Sequence, residues 1–219
     1  MLHGSPSPGV AGSELTRLLA RLADTPMAPP RPAFAERLGH WLGWPGAVAL
    51  SAALNASPAP TGAGRLRRRD DEEADFQRVR AALQASIAAG PREPASSPTD
   101  FGPHRRHCIA QQQAMHDAVA ALRQRLRQAL ARHSARGARL AAIDAVLEQA
   151  LATQEQGLLG LVLLRLQAHF ERLQHTAAAE RPWHETFRDD RDRLLQTELA
   201  HRLLPAQGLL DALRTTQPT

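Results

Sequence analysis

Apolar residues recur at Met115, Val119, Leu122, Leu126 and Leu130, in steps of four, three, four and four. That is the period of one buried stripe on a helix. The same period resumes at Leu140, Ile143, Leu147 and Leu151, after a stretch from Ser134 to Gly137 that suits a turn. Residues Cys108 to Leu151 therefore predict an antiparallel helical hairpin, its first arm running from about Pro103 to His133 and its second to about Thr153. Beyond it, Leu159, Leu163, Leu166, Phe170 and Leu173 alternate steps of four and three, as helices of a bundle or coiled coil do. Gly157 and Gly160 mark the place where this arm is expected to bend or break. Trp183, Phe187, Leu194, Leu195 and Leu199 predict a further helix behind Pro182, stopped by Pro205, and Leu209, Leu210 and Leu213 predict a last short one.

The N-terminal part is patterned differently. Residues 1–12 are rich in Gly, Ser and Pro and are expected to be disordered. Ser13 and Glu14 suit a helix start, with Leu15, Leu18, Leu19 and Leu22 on one face. Four prolines between Thr25 and Pro32 enforce a loop. Phe34, Leu38, Trp41 and Leu42 predict a second helix closed by Gly43, and Pro45 opens a third that reaches about Leu54. From Asn55 to Gly64 the composition is that of a linker. Phe76, Val79, Leu83 and Ile87 predict a fourth helix, ended by Gly90 and Pro91, and a second proline-rich linker follows.

These patterns predict an all-α protein with a small N-terminal helical unit and a C-terminal helical bundle built on the long antiparallel hairpin. The expected divisions are a disordered 1–12, a three-helix unit 13–54, a linker 55–70, a helix 71–90, a linker 91–102, a bundle 103–214 and a disordered tail 215–219. Composition agrees with an all-α fold. The hydrophobic share of 43% comes mostly from Ala and Leu, with Ile only at 87, 109 and 143 and no Tyr, which leaves strands little to be built from. Cys108 is alone, so no internal disulfide can form, and no basic region followed by an apolar run opens the chain. The longest apolar run, Leu158 to Leu164, is far short of the ~20 residues of a membrane span. A cytoplasmic location is expected.

All 27 basic residues are Arg and none is Lys. With Asn only at position 55 and abundant Ala, Gly and Pro, that choice is explained by GC-rich codon usage before any special recognition role. The charge distribution is more telling. Between Val119 and Ile143 stand Arg123, Arg125, Arg127, Arg132, Arg136 and Arg139 and no acid. The remaining arginines number one fewer than the 22 acids, so the whole excess behind the net charge of +5 lies in this stretch. Such a stretch attracts nucleic-acid phosphates or anionic lipid. At ~100° per residue, however, Arg123 and Arg127 edge the apolar stripe on one side and Arg125 and Arg132 on the other. Arginines so placed lay their stems on apolar surface and pair with acids of the next helix. Asp144, Glu148 and Glu155 offer that acidic edge, and the hairpin is expected to bring Arg125 and Arg127 alongside Asp144 to Glu148. No aromatic residue lies between Val119 and Ile143 to stack on a base.

Motifs for catalysis are absent: no phosphate-binding glycine loop, no nucleophile elbow, no dinucleotide fingerprint. Three weaker constellations remain. His104, His107 and Cys108 share a helical face and could offer three ligands to zinc, with His116 or His184 as a fourth. His116-Asp117, with Asp144, resembles the ligand set of a metal-dependent phosphohydrolase of the His-Asp kind. Glu185, Asp189, Asp190 and Asp192 could take a divalent cation, but Arg188, Arg191 and Arg193 are interleaved, so a solvated, ion-paired face is the expectation. No catalytic residue, metal or cofactor is assigned.

Several blocks resemble a known family. Trp41-Leu42-Gly43-Trp44 with Leu50 to Leu54, Gln111 to Met115, Asp144 to Gln149, His169 to Leu173, Trp183 with Phe187, and Gly208 to Leu210 are similar to a proteobacterial family catalogued as a domain of unknown function, number 3348. The resemblance covers nearly the whole chain outside the linkers. It implies no activity, but it does imply association with a proton-channel-like membrane protein or an outer-membrane-protein-A-like protein. The function expected is a non-catalytic helical interaction or scaffold protein, self-associating or bound to a protein partner, accessory to a larger assembly. The alternatives are an arginine-rich nucleic-acid-binding accessory and a metal-dependent phosphohydrolase.

Overall fold

The computed structural model describes residues 18, 21–22, 34–56, 69–91, 99–175 and 182–215. The expected disordered N-terminus and tail, the interiors of both linkers and the side chain of Glu155 lie outside the described residues. Among the described residues all regular structure is helical. We number the helices α1 (Phe34–Asn55), α2 (Arg69–Ala88), α3 (Gly102–His133), α4 (Ala135–His175) and α5 (Trp183–Thr215). Leu18, Arg21 and Leu22 are helical as well. The protein is an all-α helical bundle, and among the described residues no helix is long and apolar enough to cross a membrane.

The α3 stripe forms as its spacing requires. Met115, Leu122, Leu126 and Leu130 are completely buried and Val119 nearly so. Burying a side chain of that size is worth ~1.5–3 kcal/mol, which makes this stripe a principal source of stability. Asp100 caps the helix start, its Oδ1 accepting from the Gly102 N–H at 2.8 Å. At the other end the turn is tighter than the four residues expected, because Ser134 alone leaves helical geometry. Its hydroxyl accepts from the Gly137 N–H at 2.9 Å and so caps α4 immediately. A Cβ on Gly137 would collide with the Leu130 carbonyl, which explains glycine there.

Two expectations about proline and glycine are corrected. Pro205 does not stop α5, which runs through it to Thr215. Leu203, Ala206, Leu209, Leu210 and Leu213 are buried on both sides of it, and their burial outweighs the missing N–H and the steric cost of the ring. The break expected near Gly157 and Gly160 is absent, and α4 is helical from Ala135 to His175. At Gly43 the expected break is present, with φ 55 and ψ −176 separating the two parts of α1.

The described residues fall into two compact units. The first comprises those of Met1–Ala28, Ala81–His116 and Leu159–Leu204. Its core holds Leu18, Leu22, Leu83, Ile87, Met115, Val162, Leu166, Phe170, Phe187, Leu194, Leu195 and Leu199. Within it Gln111 donates to the Ser86 Oγ at 3.0 Å and Gln112 to Glu198 at 3.1 Å, tying α3 to α2 and to α5. The second comprises those of Pro29–Arg80, Asp117–Leu158 and Pro205–Thr219. Its core holds Ala53, Phe76, Leu122, Leu126, Leu130, Ala138, Ala141 and Leu210. Compactness thus follows packing and not chain order: Leu18 and Leu22 belong to the first unit, and α1 to the second.

Candidate interaction surface

The six arginines of the basic stretch divide by position. Arg123 and Arg127 are turned onto α4. The Arg123 guanidinium donates to Asp144 Oδ1 at 2.8 Å and meets Glu148 Oε1 at 3.0 Å, and Arg127 donates to Asp144 Oδ2 at 2.9 Å and Glu148 Oε2 at 2.6 Å. Both arginine side chains are nearly buried, at 11% and 13% exposure. The acidic edge is therefore met by residues 123 and 127, not by 125 and 127. Positions four apart share a helical face, whereas position 125 is turned ~200° away from 123. Arg125 is half-buried with an unbonded Nε.

The other three lie at the turn. Arg132 ends α3, Arg136 and Arg139 begin α4, and all three are exposed. Arg139 Nε donates to the Ala56 carbonyl at 3.0 Å, which holds the beginning of α4 beside the end of α1. Neither Arg132 nor Arg136 has an ion pair among the described residues.

The part of α1 after its kink presents an unusual surface. From Gly43 to Ala56 there is no charged residue. A helix that is apolar all round is normally buried. Here only Ala53 is buried, with Leu42, Gly46 and Leu50 half-buried on the same side. The opposite side exposes Trp44 at 82% and Val48 at 50%, followed by Ser51 and Asn55, and Leu54, 51% exposed, lies between the two sides. This face was not anticipated from the pattern, which treated the segment as packed helices. The signal that could have revealed it is the run without charge, which is more apolar than one buried stripe can use.

The proposed zinc face is occupied differently. Arg191 is 2% exposed, and its guanidinium donates to His104 Nδ1 at 2.8 Å and doubly to Asp192 Oδ1 at 2.8 and 2.7 Å. A guanidinium cannot accept, so His104 carries its proton on Nε2. Burial, then the Arg191 charge, lower the His104 pKa to about 4. The same two causes lower that of His107, whose Nε2 is buried without a partner. Burial pushes the Cys108 thiol up to about 12. A fixed cation thus influences all three groups, and a second positive charge would be repelled. His104 instead packs edge-on against Phe187, ring centroids 5.0 Å apart, in an aromatic cluster with Phe101, Phe170 and Trp183.

The remaining constellations are also spread apart. His116 and Asp117 are exposed, while Asp144 is engaged by Arg123 and Arg127. The acids of α5 form separate pairs. Asp190 accepts from His169 Nε2 at 2.8 Å, because Arg172 donates to His169 Nδ1, and Asp192 holds Arg191. Arg191 was expected on a solvated face and is the opposite, one of the largest fully buried side chains. Among the described residues no three His, Cys, Asp or Glu side chains are grouped to hold a metal ion.

The chain is thus a helical-bundle protein whose distinctive surface is the uncharged second part of α1, with a basic turn beside its end. It belongs to the family described as protein of unknown function (DUF3348), whose model matches residues 1–215. No curated protein and no solved structure matches it.

Proposed function

We propose that this protein is a non-catalytic helical interaction module, cytoplasmic and accessory to a larger assembly. The observation supporting this is the uncharged part of α1 after Gly43, on which Trp44, Val48 and Leu54 stand in solvent. Large exposed apolar side chains grouped on one element mark binding surfaces. Trp in particular is enriched among the residues that dominate binding energy. The pairing of Arg123 and Arg127 with carboxylates also removes two of the six arginines from competition for external phosphate. Association with a membrane complex of the proton-channel-like or outer-membrane-protein-A-like kind is the part of the proposal that rests on family resemblance.

The test is capture from native extract by the full chain and by its W44S/V48S variant. Both substituted residues are solvent-exposed, so the fold is expected to survive. A partner retained by the wild type and lost by the variant supports the proposal, and identical captures refute it. The exposed Arg132 and Arg136 favour a second reading, a nucleic-acid accessory. It requires affinity for duplex DNA or RNA that falls steeply with salt and is lost in R132Q/R136Q.

A further inference from the structure

We infer that the segment at Leu18–Leu22 is held to the first unit by a proton-sensitive latch, in which neutral His169 keeps Arg172 on the Leu22 carbonyl and protonation of His169 releases it. This goes beyond the interaction reading and does not depend on it. The groups stand in series within one compact unit. A single nitrogen of the Arg172 guanidinium, Nη2, donates both to the Leu22 carbonyl oxygen and to His169 Nδ1, the latter at 3.1 Å. On the far side of the ring His169 Nε2 donates to Asp190 Oδ2 at 2.8 Å. The His169 side chain is 10% exposed, which leaves the ring little room to turn away. Leu18 and Leu22 are themselves buried. The latch therefore fastens a segment whose leucines are already seated in the bundle.

Only a neutral imidazole can make this arrangement. A guanidinium donates and cannot accept, so Nδ1 is the acceptor and the one ring proton lies on Nε2, toward Asp190. An incoming proton has one place to go, the lone pair of Nδ1. There it sets an N–H and a positive charge against the Arg172 guanidinium. The charged groups at hydrogen-bond distance from the ring are Asp190 from α5 and Arg172 from α4, and the N-terminal segment brings only its backbone carbonyl. Asp190 supports the charged ring, so the group that yields is Arg172. Its Nη2 carries two hydrogens, one for each acceptor, and in turning from Nδ1 it takes the Leu22 bond with it. A buried carbonyl deprived of its donor favours opening toward water. His104 packs on the same Phe187 ring but is held separately by Arg191. Histidine is the side chain that ordinarily changes charge near neutral pH, so mild acid loosens the segment before the fold is lost.

The test is hydrogen exchange of the full chain at ~pH 7.5 and ~pH 5.5, either side of the range in which histidine titrates. Mass spectrometry reads protection, corrected for the pH dependence of intrinsic exchange, in the peptide containing Leu18 to Leu22 and in one from α5 containing Leu194 to Leu199. In the wild type, protection at Leu18 to Leu22 is expected to fall about tenfold at the lower pH, the equivalent of one lost hydrogen bond, while α5 keeps its protection. H169N places an amide oxygen where Nδ1 stands and takes up no proton, so its protection is expected to be the same at both pH values. R172M keeps the aliphatic stem and loses both bonds, so the segment is expected to exchange readily at either pH. H104Q is expected to respond as the wild type does. Equal wild-type protection at the two pH values overturns the inference, as does a fall that persists in H169N or disappears in H104Q. A fall shared equally by the α5 peptide overturns it too, because the whole unit then loosens. Should H169N fail to fold, R172M decides: a tenfold pH response that survives in it refutes the latch, and its loss supports the latch.

Discussion

Replacing Asp144 by alanine separates a structural role of the basic stretch from a binding role. Asp144 bridges Arg123 and Arg127, one oxygen to each, at 2.8 and 2.9 Å. Its side chain is 13% exposed, against 32% for Glu148. Breaking a fully buried pair costs ~3–5 kcal/mol. Here Glu148 still pairs with both guanidinium groups, leaving one net positive charge, and some solvent reaches them, so a loss of ~2–3 kcal/mol is expected for D144A. Removing the more exposed Glu148 is expected to cost ~0.5–1 kcal/mol, near the range of surface pairs. Urea denaturation of the full chain, followed at 222 nm, measures both. A double-mutant cycle of D144A with R127A should return a coupling of ~1–2 kcal/mol. Raising the salt to ~1 M, where the screening length is ~3 Å, should erode the Glu148 effect more than that of Asp144. If D144A costs no more than E148A, or the coupling is under ~0.3 kcal/mol, the two arginines do not hold the hairpin and return to the pool available for an external anion.

Three further outcomes follow from the packing and the titrating groups. G137A should lower stability by ~1–3 kcal/mol in the same assay, because its methyl group meets the backbone carbonyl of Leu130 and not a side chain that can move. P205A should raise the melting temperature, since it restores a hydrogen bond to the His201 carbonyl and removes a residue disfavoured by ~3 kcal/mol in helix interiors. Protonation of His104 and His107 should make stability fall with acid. The pKa of His104 is near 6.5 in the unfolded chain and about 4 in the folded one, so only the unfolded chain takes up this proton between those values. Stability is then full above pH 6.5 and declines as the pH falls toward 4. H104Q should flatten that decline in urea titrations repeated across the window.

The parts of the fold written in local periodicity were legible. The α3 stripe from Met115 to Leu130, the hairpin turn at Ser134, the break at Gly43 and the acidic edge at Asp144 and Glu148 all follow from spacing and turn chemistry. Where sequence reasoning failed, tertiary burial had overridden a local preference. Pro205 disfavours helix by itself, but the leucines on both sides are buried only if the helix continues. Leu140, Ile143, Leu147 and Leu151 keep the helical period yet are only half-buried, and Ala138 and Ala141 lie deeper. In α4 the small residues mark the close approach. Arg191 shows a third cause: flanked by Asp189, Asp190, Asp192 and Arg193 it has the neighbours of a surface residue, and its burial depends on His104, distant in sequence. The α1 face was missed because apolar residues are assumed to lie inside, a rule that holds only one way.

Hydroxyl-radical footprinting of the free chain, and of the assembly captured from native extract, tests the interaction surface most directly. In the free chain Trp44, Val48 and Leu54 should be oxidised readily, as should Ile109, which is 47% exposed. In the assembly Trp44, Val48 and Leu54 should be protected together, with Ile109 as reactive as before. Unchanged oxidation of Trp44 and its neighbours in a captured assembly would contradict the assignment of this face as the site of binding.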